Sequence, residues 1–77
     1  MYKGNDSIAI NINDESKLVA VNSTVQSVIE MYAEVRGVDI HGIAVAINSE
    51  VLPRSRWQIQ CCLAGDKFEI FSVVAGG

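Results

Sequence analysis

Only one stretch of this 77-residue chain repeats its apolar side chains at helical spacing, and it lies between stretches that alternate. Val25, Val28, Ile29 and Tyr32 fall at i, i+3, i+4 and i+7, one stripe of a helix. Ala33 and Val35 widen or flank that stripe. Ser23 followed three residues later by Gln26 has capping-box spacing, so the helix is expected to start there. Gly37 suits the left-handed position that ends it. One helix cannot cover both faces of a sheet. The chain must therefore lay its helix on one face and leave the other open.

The strands follow from alternation. Ile8, Ile10 and Ile12 alternate through Ser7 to Asn13, and the polar run Asn13-Asp14-Glu15-Ser16 breaks the strand. Lys17 to Val21 reads as a return strand whose inward residues are either Leu18 and Ala20 or Val19 and Val21. Beyond the helix, Ile43, Val45 and Ile47 point one way and Ala44 and Ala46 the other. Asn48-Ser49 offers a two-residue turn, Glu50-Val51-Leu52 a short return strand, and Pro53 a stop. Arg54 to Leu63 is irregular, with Trp57 as its anchor into the core. Gly65-Asp66 is a turn, Asp66 serving as turn former rather than base. Lys67 to Val74 forms the last strand, with Phe68 and Ile70 on one face and Phe71 and Val73 on the other.

The expected order is thus β-β-α-β-β-β: an α+β fold with a mixed sheet of four to five strands and one main helix packed on one face. Residues 1–77 form a single domain, with 1–6 as an N-terminal extension. The open face is expected to present Ala9, Ala44, Ala46, Phe71 and Val73. Such a lining suits partner docking better than water alone.

Composition removes several function classes. A formal charge of −3 argues against nucleic acid, whose phosphates demand a basic face, and favours a partner with a basic docking surface. No apolar run approaches the roughly 18 residues of a membrane span, and Met1 to Asp6 lacks a signal peptide's apolar core. Cys61 and Cys62 are adjacent and cannot staple a loop, so a reducing cytoplasm is the expected compartment. His41 is alone, expected in a solvated loop, and no cluster has metal-ligand spacing. Arg54 and Arg56 flank Trp57 on what is expected to be a solvated surface.

What remains is the ending, Val73-Val74-Ala75-Gly76-Gly77. Glycine has no side chain to bury, so its use here lies in a thin thread with wide backbone freedom. A terminal carboxylate on such a thread can enter a narrow channel of an activating enzyme. Joined to AMP it becomes a mixed anhydride that a sulfur or nitrogen nucleophile opens. The carrier then needs no base, metal or cofactor of its own.

The segment "AVAINSEVLPRSRW", followed by "LAGDKFEIFSVVAGG", carries a combination that resembles one family. Ala44 to Asn48, Pro53-Arg54, Trp57, Leu63, Gly65-Asp66 and Gly76-Gly77 fall in register with the sulfur carrier proteins of thiamine biosynthesis, the ThiS family. The resemblance covers about the last 35 residues by motif and the whole chain by element order. It implies a ubiquitin-like β-grasp fold ending in a flexible reactive tail, Ala75 to Gly77, and a carrier rather than an enzyme. It further implies that a ThiF-type adenylyltransferase, using ATP, activates the Gly77 carboxylate. A sulfur donor enzyme (cysteine desulfurase or equivalent) would convert it to a thiocarboxylate, and a ThiG-type thiazole synthase would consume the sulfur. Phe71 and Val73 match apolar positions of the family's final strand, and with Ala44 and Ala46 they form the expected partner-binding set. Two sister roles share the tail chemistry: the small subunit of molybdopterin synthase, and a ubiquitin-like protein modifier. A β-grasp binding module with an incidental tail is the fourth alternative. The six leading residues, Val35 to Gly42 and Cys61-Cys62 depart from the family pattern.

Overall fold

The alternation of Ile8, Ile10 and Ile12 is realised as β1 (Ser7–Ile12) in the computed structural model, which describes residues 7–72. The N-terminal extension, Val73 and the tail residues Ala75, Gly76 and Gly77 lie outside the described residues. Strand β1 pairs antiparallel with β2 (Glu15–Ala20). The turn between them is tighter than the polar run suggests. Asn13 and Asp14 alone make it, at φ 50 and 73, the left-handed pair of a two-residue hairpin whose twist matches its strands. Glu15 and Ser16 are therefore already in β2, opposite Ile12 and Asn11. This register also resolves the inward face of β2. Val19 lies opposite Ile8 and is buried, whereas Leu18 lies opposite Ala9 and is 74% exposed.

The helix, α1 (Val25–Arg36), starts one residue later than the capping-box spacing predicts. Thr24 is the N-cap, and its hydroxyl accepts the Ser27 N–H at 3.2 Å. Ser23 instead donates its hydroxyl to the Ala20 carbonyl at 2.6 Å, closing the turn out of β2. Gln26, freed from the cap, donates to Glu30 one turn on, at 2.9 Å. Gly37 ends the helix as expected, at φ 70, with its N–H directed to the carbonyls of Ala33 and Glu34. Val25, Val28, Ile29 and Ala33 are buried; Tyr32 is half-buried at the edge of the stripe and Val35 is exposed.

After a short 3₁₀ turn (Ile40–Gly42), β3 (Ile43–Ile47) and β4 (Glu50–Val51) form the second hairpin. Asn48 and Ser49, at φ 54 and 73, repeat the turn geometry of the first. Pro53 ends β4, and a 3₁₀ turn (Arg54–Arg56) delivers Trp57 into the core at 1% exposure. The last strand, β5 (Lys67–Ser72), runs up the middle. The sheet order is β2-β1-β5-β3-β4, with β5 parallel to β1 and the other neighbours antiparallel. The helix stripe packs with Ile10, Ile12, Val19, Ile43, Val45, Ile47, Trp57, Phe68 and Ile70 in one apolar core. Each such large side chain contributes roughly 1.5–3 kcal/mol by leaving water, a sum that ordering the chain largely offsets.

Candidate functional site

Strand β5 is the element that leads to the carboxyl end, so its surroundings define the site. Ser72, its last residue, lies opposite Ile43, the first residue of β3. On the face away from α1, Phe71 lies opposite Ala44, Glu69 opposite Ala46, and Ala46 opposite Val51. Phe71 is 52% exposed and Val51 78%, while Ala44 is half-buried. Ala46 is buried at 6%, because its single methyl sits between the longer side chains of Glu69 and Val51. The accessible apolar surface near the end of β5 is therefore Phe71, Ala44 and Val51. Sequence reasoning missed Val51, although its place in a two-residue return strand facing Ala46 was the available signal. It also missed the charges on this face, which Lys67 and Glu69 share with Phe71 along β5. Ala9 is exposed on β1 beside Leu18 of β2.

The start of β5 is fixed by side chains acting as backbone. The Asn48 Nδ2 donates to the Asp66 carboxylate at 3.0 Å, and its Oδ1 accepts the Lys67 N–H at 3.0 Å. Asp66 also accepts the Leu63 N–H at 2.8 Å, which closes the turn at Gly65, φ 85. Asp66 is a buried turn former with its carboxylate occupied. The residues Asn48, Gly65 and Asp66 thus share one physical task, launching β5 at a set register.

The cysteines have opposite surroundings. Cys61 is exposed and Cys62 is buried. Burial, then the nearby Asp66 and Cys61, pushes the Cys62 thiol up from 9.0 to about 11. It stays protonated and unreactive at neutral pH. Iodoacetamide is expected to label Cys61 in the native protein and Cys62 only after unfolding, read by peptide mass mapping. A thiol whose folded value lies above its unfolded one favours folding fully below the unfolded value. Stability is thus expected to fall as pH climbs from 9.0 towards about 11.

His41 and Asp39 are both solvated. The Asp39 carboxylate accepts the His41 N–H at 3.0 Å, which holds its pKa below the usual carboxylate value. Such an exposed pair contributes little. An apolar groove of about 320 Å³ runs between β2 and α1, past Leu18, Val28, Met31, Tyr32 and Val35. It flanks the helix and does not include Phe71. Among the described residues, no three His, Cys, Asp or Glu side chains converge as a metal site, and no helix is long and apolar enough to cross a membrane.

A five-stranded mixed sheet, its first and last strands parallel at the centre and one helix across one face, is the ubiquitin-like β-grasp. The solution structure of an N-terminal ubiquitin-like domain superposes with a TM-score of 0.64 at 10% identity, covering 92% of this chain and 77% of that one. The crystal structure of the thiamine biosynthesis protein ThiS from Geobacter metallireducens gives 0.70 at 22% identity, covering 91% of this chain and all of that one. The family defined as "ThiS family" matches residues 8–77, and the chain belongs to it. The sulfur carrier protein ThiS of Escherichia coli (strain K12) is 32% identical over 68 residues, 88% of this chain and 97% of that protein.

Proposed function

We propose that this chain carries sulfur for thiamine biosynthesis as a thiocarboxylate on Gly77. The observation that supports this most is the reach of the family match, which runs through residue 77 and so takes in both terminal glycines. The chain is a co-substrate rather than a catalyst. The Gly77 carboxylate attacks the α-phosphate of ATP in the site of a ThiF-type adenylyltransferase, and pyrophosphate leaves. The persulfide sulfur of a cysteine desulfurase or equivalent donor then displaces AMP from the acyl carbon, and a second thiol on the donor side attacks the resulting acyl disulfide, releasing the thiocarboxylate and leaving a disulfide behind. The resulting thiocarboxylate delivers its sulfur to a ThiG-type thiazole synthase. ATP belongs to the partner, and the carrier holds no cofactor. The cytoplasm supplies these partners and keeps both thiols reduced.

The docking surface is the open face of β5 and β3, drawn from Phe71, Ala44 and Val73; Ala46, expected in this set, is 6% exposed and lies beneath Glu69 and Val51. Phe71 offers the largest accessible apolar area of this set within the described residues, and an aromatic anchor at the centre of an interface carries a disproportionate share of its energy. ATP–pyrophosphate exchange by the adenylyltransferase, dependent on this chain, tests the reading; absence of exchange with an enzyme competent on its own carrier contradicts it. Phe71→Asp is expected to raise KM in that assay by roughly tenfold or more. Its stability should change by less than about 1 kcal/mol, because Phe71 is half in water already. An unchanged KM would remove Phe71 from the interface.

A further inference from the structure

The two outer strands of the sheet are finished differently. At one edge, β4 is two residues long and Pro53 follows it, which leaves little to pair with. At the other edge, β2 is six residues long and holds no proline. Its neighbours show which of its peptide groups face outward. The Asn11 N–H bonds the Asp66 carbonyl at 2.9 Å, and the Ala9 carbonyl accepts the Gly65 N–H at 2.8 Å, so these residues of β1 turn away from β2. Ser16, Leu18 and Ala20 lie opposite Asn11, Ala9 and Ser7, and in an antiparallel ladder they therefore direct their N–H and C=O groups away from the sheet. The Ala20 carbonyl is occupied by the N–H and hydroxyl of Ser23.

Apolar side chains gather along the same edge. Leu18 is exposed on the open face beside Ala9. The groove between β2 and α1 leaves Met31 and Val35 exposed as well.

The outward residues are symmetric about Leu18, with Ser16 and Ala20 two positions to either side. A second copy laid antiparallel with its twofold axis at Leu18 meets each of them with an outward residue of its own. The two Leu18 residues exchange a pair of backbone bonds, and each Ala20 N–H reaches the Ser16 carbonyl of the other copy. Ala9 and Leu18 of both copies then form one apolar row across the open face. On the helix side Lys17 falls opposite Val19 of the second copy, so no like charges meet. Other registers are worse. A slip of one residue sets outward groups against inward ones. An axis at Lys17 places two lysines face to face, and an axis at Val19 directs bonds to the occupied Ala20 carbonyl.

We propose that β2 is a self-association edge, on which a second copy of this chain pairs antiparallel at Leu18 and joins two sheets into one. The docking face of Phe71, Ala44 and Val51 lies on the other side of the sheet, on β5, β3 and β4, and stays open in both copies. The proposal goes beyond the carrier reading and does not depend on it.

Sedimentation equilibrium of the full chain, with reductant present to exclude disulfide-linked pairs through Cys61, tests it. One strand edge makes a small interface, so a dissociation constant of about 10–100 µM is expected. Leu18→Asp sets two carboxylates across the axis and should raise that constant roughly thirtyfold or more. Its fold should persist, because Leu18 is exposed, and an unchanged melting temperature in dilute solution checks this. Amide hydrogen exchange reads the register. Raising the chain concentration should slow Leu18 and Ala20, and leave Lys17 and Val19, which pair inside the hairpin, as they were. A chain that stays monomeric up to about 1 mM, or a dimer indifferent to Leu18→Asp, would overturn the proposal. Protection of Leu18 that appears only with the adenylyltransferase would assign the edge to that enzyme and overturn it too. None of these measurements uses ATP or a sulfur source, so their failure leaves the carrier reading untouched.

Discussion

Removing Gly76 and Gly77 should abolish sulfur loading and leave the folded body as stable as before. The two halves of this expectation have separate causes. Glycine brings no side chain to a core, and among the described residues the buried cluster runs from Ile10 to Ile70. The melting temperature should therefore move by no more than a degree or two, since less than about 0.5 kcal/mol is at stake. The proposed chemistry, by contrast, sits on the part removed. The proposed reactive group is the Gly77 carboxylate, and a chain ending at Ala75 presents its carboxylate two residues short, beside a methyl group that thickens the thread. Loading measured with adenylyltransferase, ATP and a sulfur source should drop below detection. Loading that survives the deletion would move the reactive group elsewhere and refute the assignment.

Trp57→Ala should come close to unfolding the protein. The indole is 1% exposed and among the largest fully buried side chains. Its Nε1–H donates to the Leu52 carbonyl at 3.2 Å, and the Trp57 backbone carbonyl accepts the Gln26 N–H at 2.8 Å in the first turn of α1. Truncation leaves a cavity at the junction of helix, loop and sheet, at a cost of about 3–5 kcal/mol. It also strips Arg54 of its stacking partner. A domain this small holds a total stability on the order of 5–10 kcal/mol, so the loss takes a large fraction of it. Urea titration should show the midpoint falling steeply, whereas Ile59→Ala, two residues away and 67% exposed, should shift it little. A loss below about 1 kcal/mol for Trp57→Ala would mean that the loop, rather than the indole, closes the core.

The fold was legible where a side-chain period carried it. Ile8/Ile10/Ile12, Ile43/Val45/Ile47 and Phe68/Ile70 each point to their buried face by alternation alone, and Gly37 marks the helix end. What periodicity cannot show is pairing between distant strands. Nothing local says that β5 joins β1 in parallel at the centre of the sheet; that follows from closing one core under one helix. The helix start was misplaced by one residue because Ser23 and Thr24 both have capping chemistry, and only the turn from Ala20 decides which is free to cap. Ala46 shows a related limit. Alternation gives its face correctly, but burial depends on Val51 of the next strand and Glu69 of the last. The role of Asn48 leaves no periodic trace, because a side chain bonded to a backbone group requires no partner of a particular residue type.

The central claim is that one oxygen of the terminal carboxylate is exchanged for sulfur, and intact-mass spectrometry reads this directly. After incubation with a cognate adenylyltransferase, ATP and a sulfur source, the chain should gain about 16 Da, placed on Gly77 by fragmentation. A mass that stays unchanged with an enzyme that loads its own carrier, or a gain located on Cys61 instead, would contradict the account.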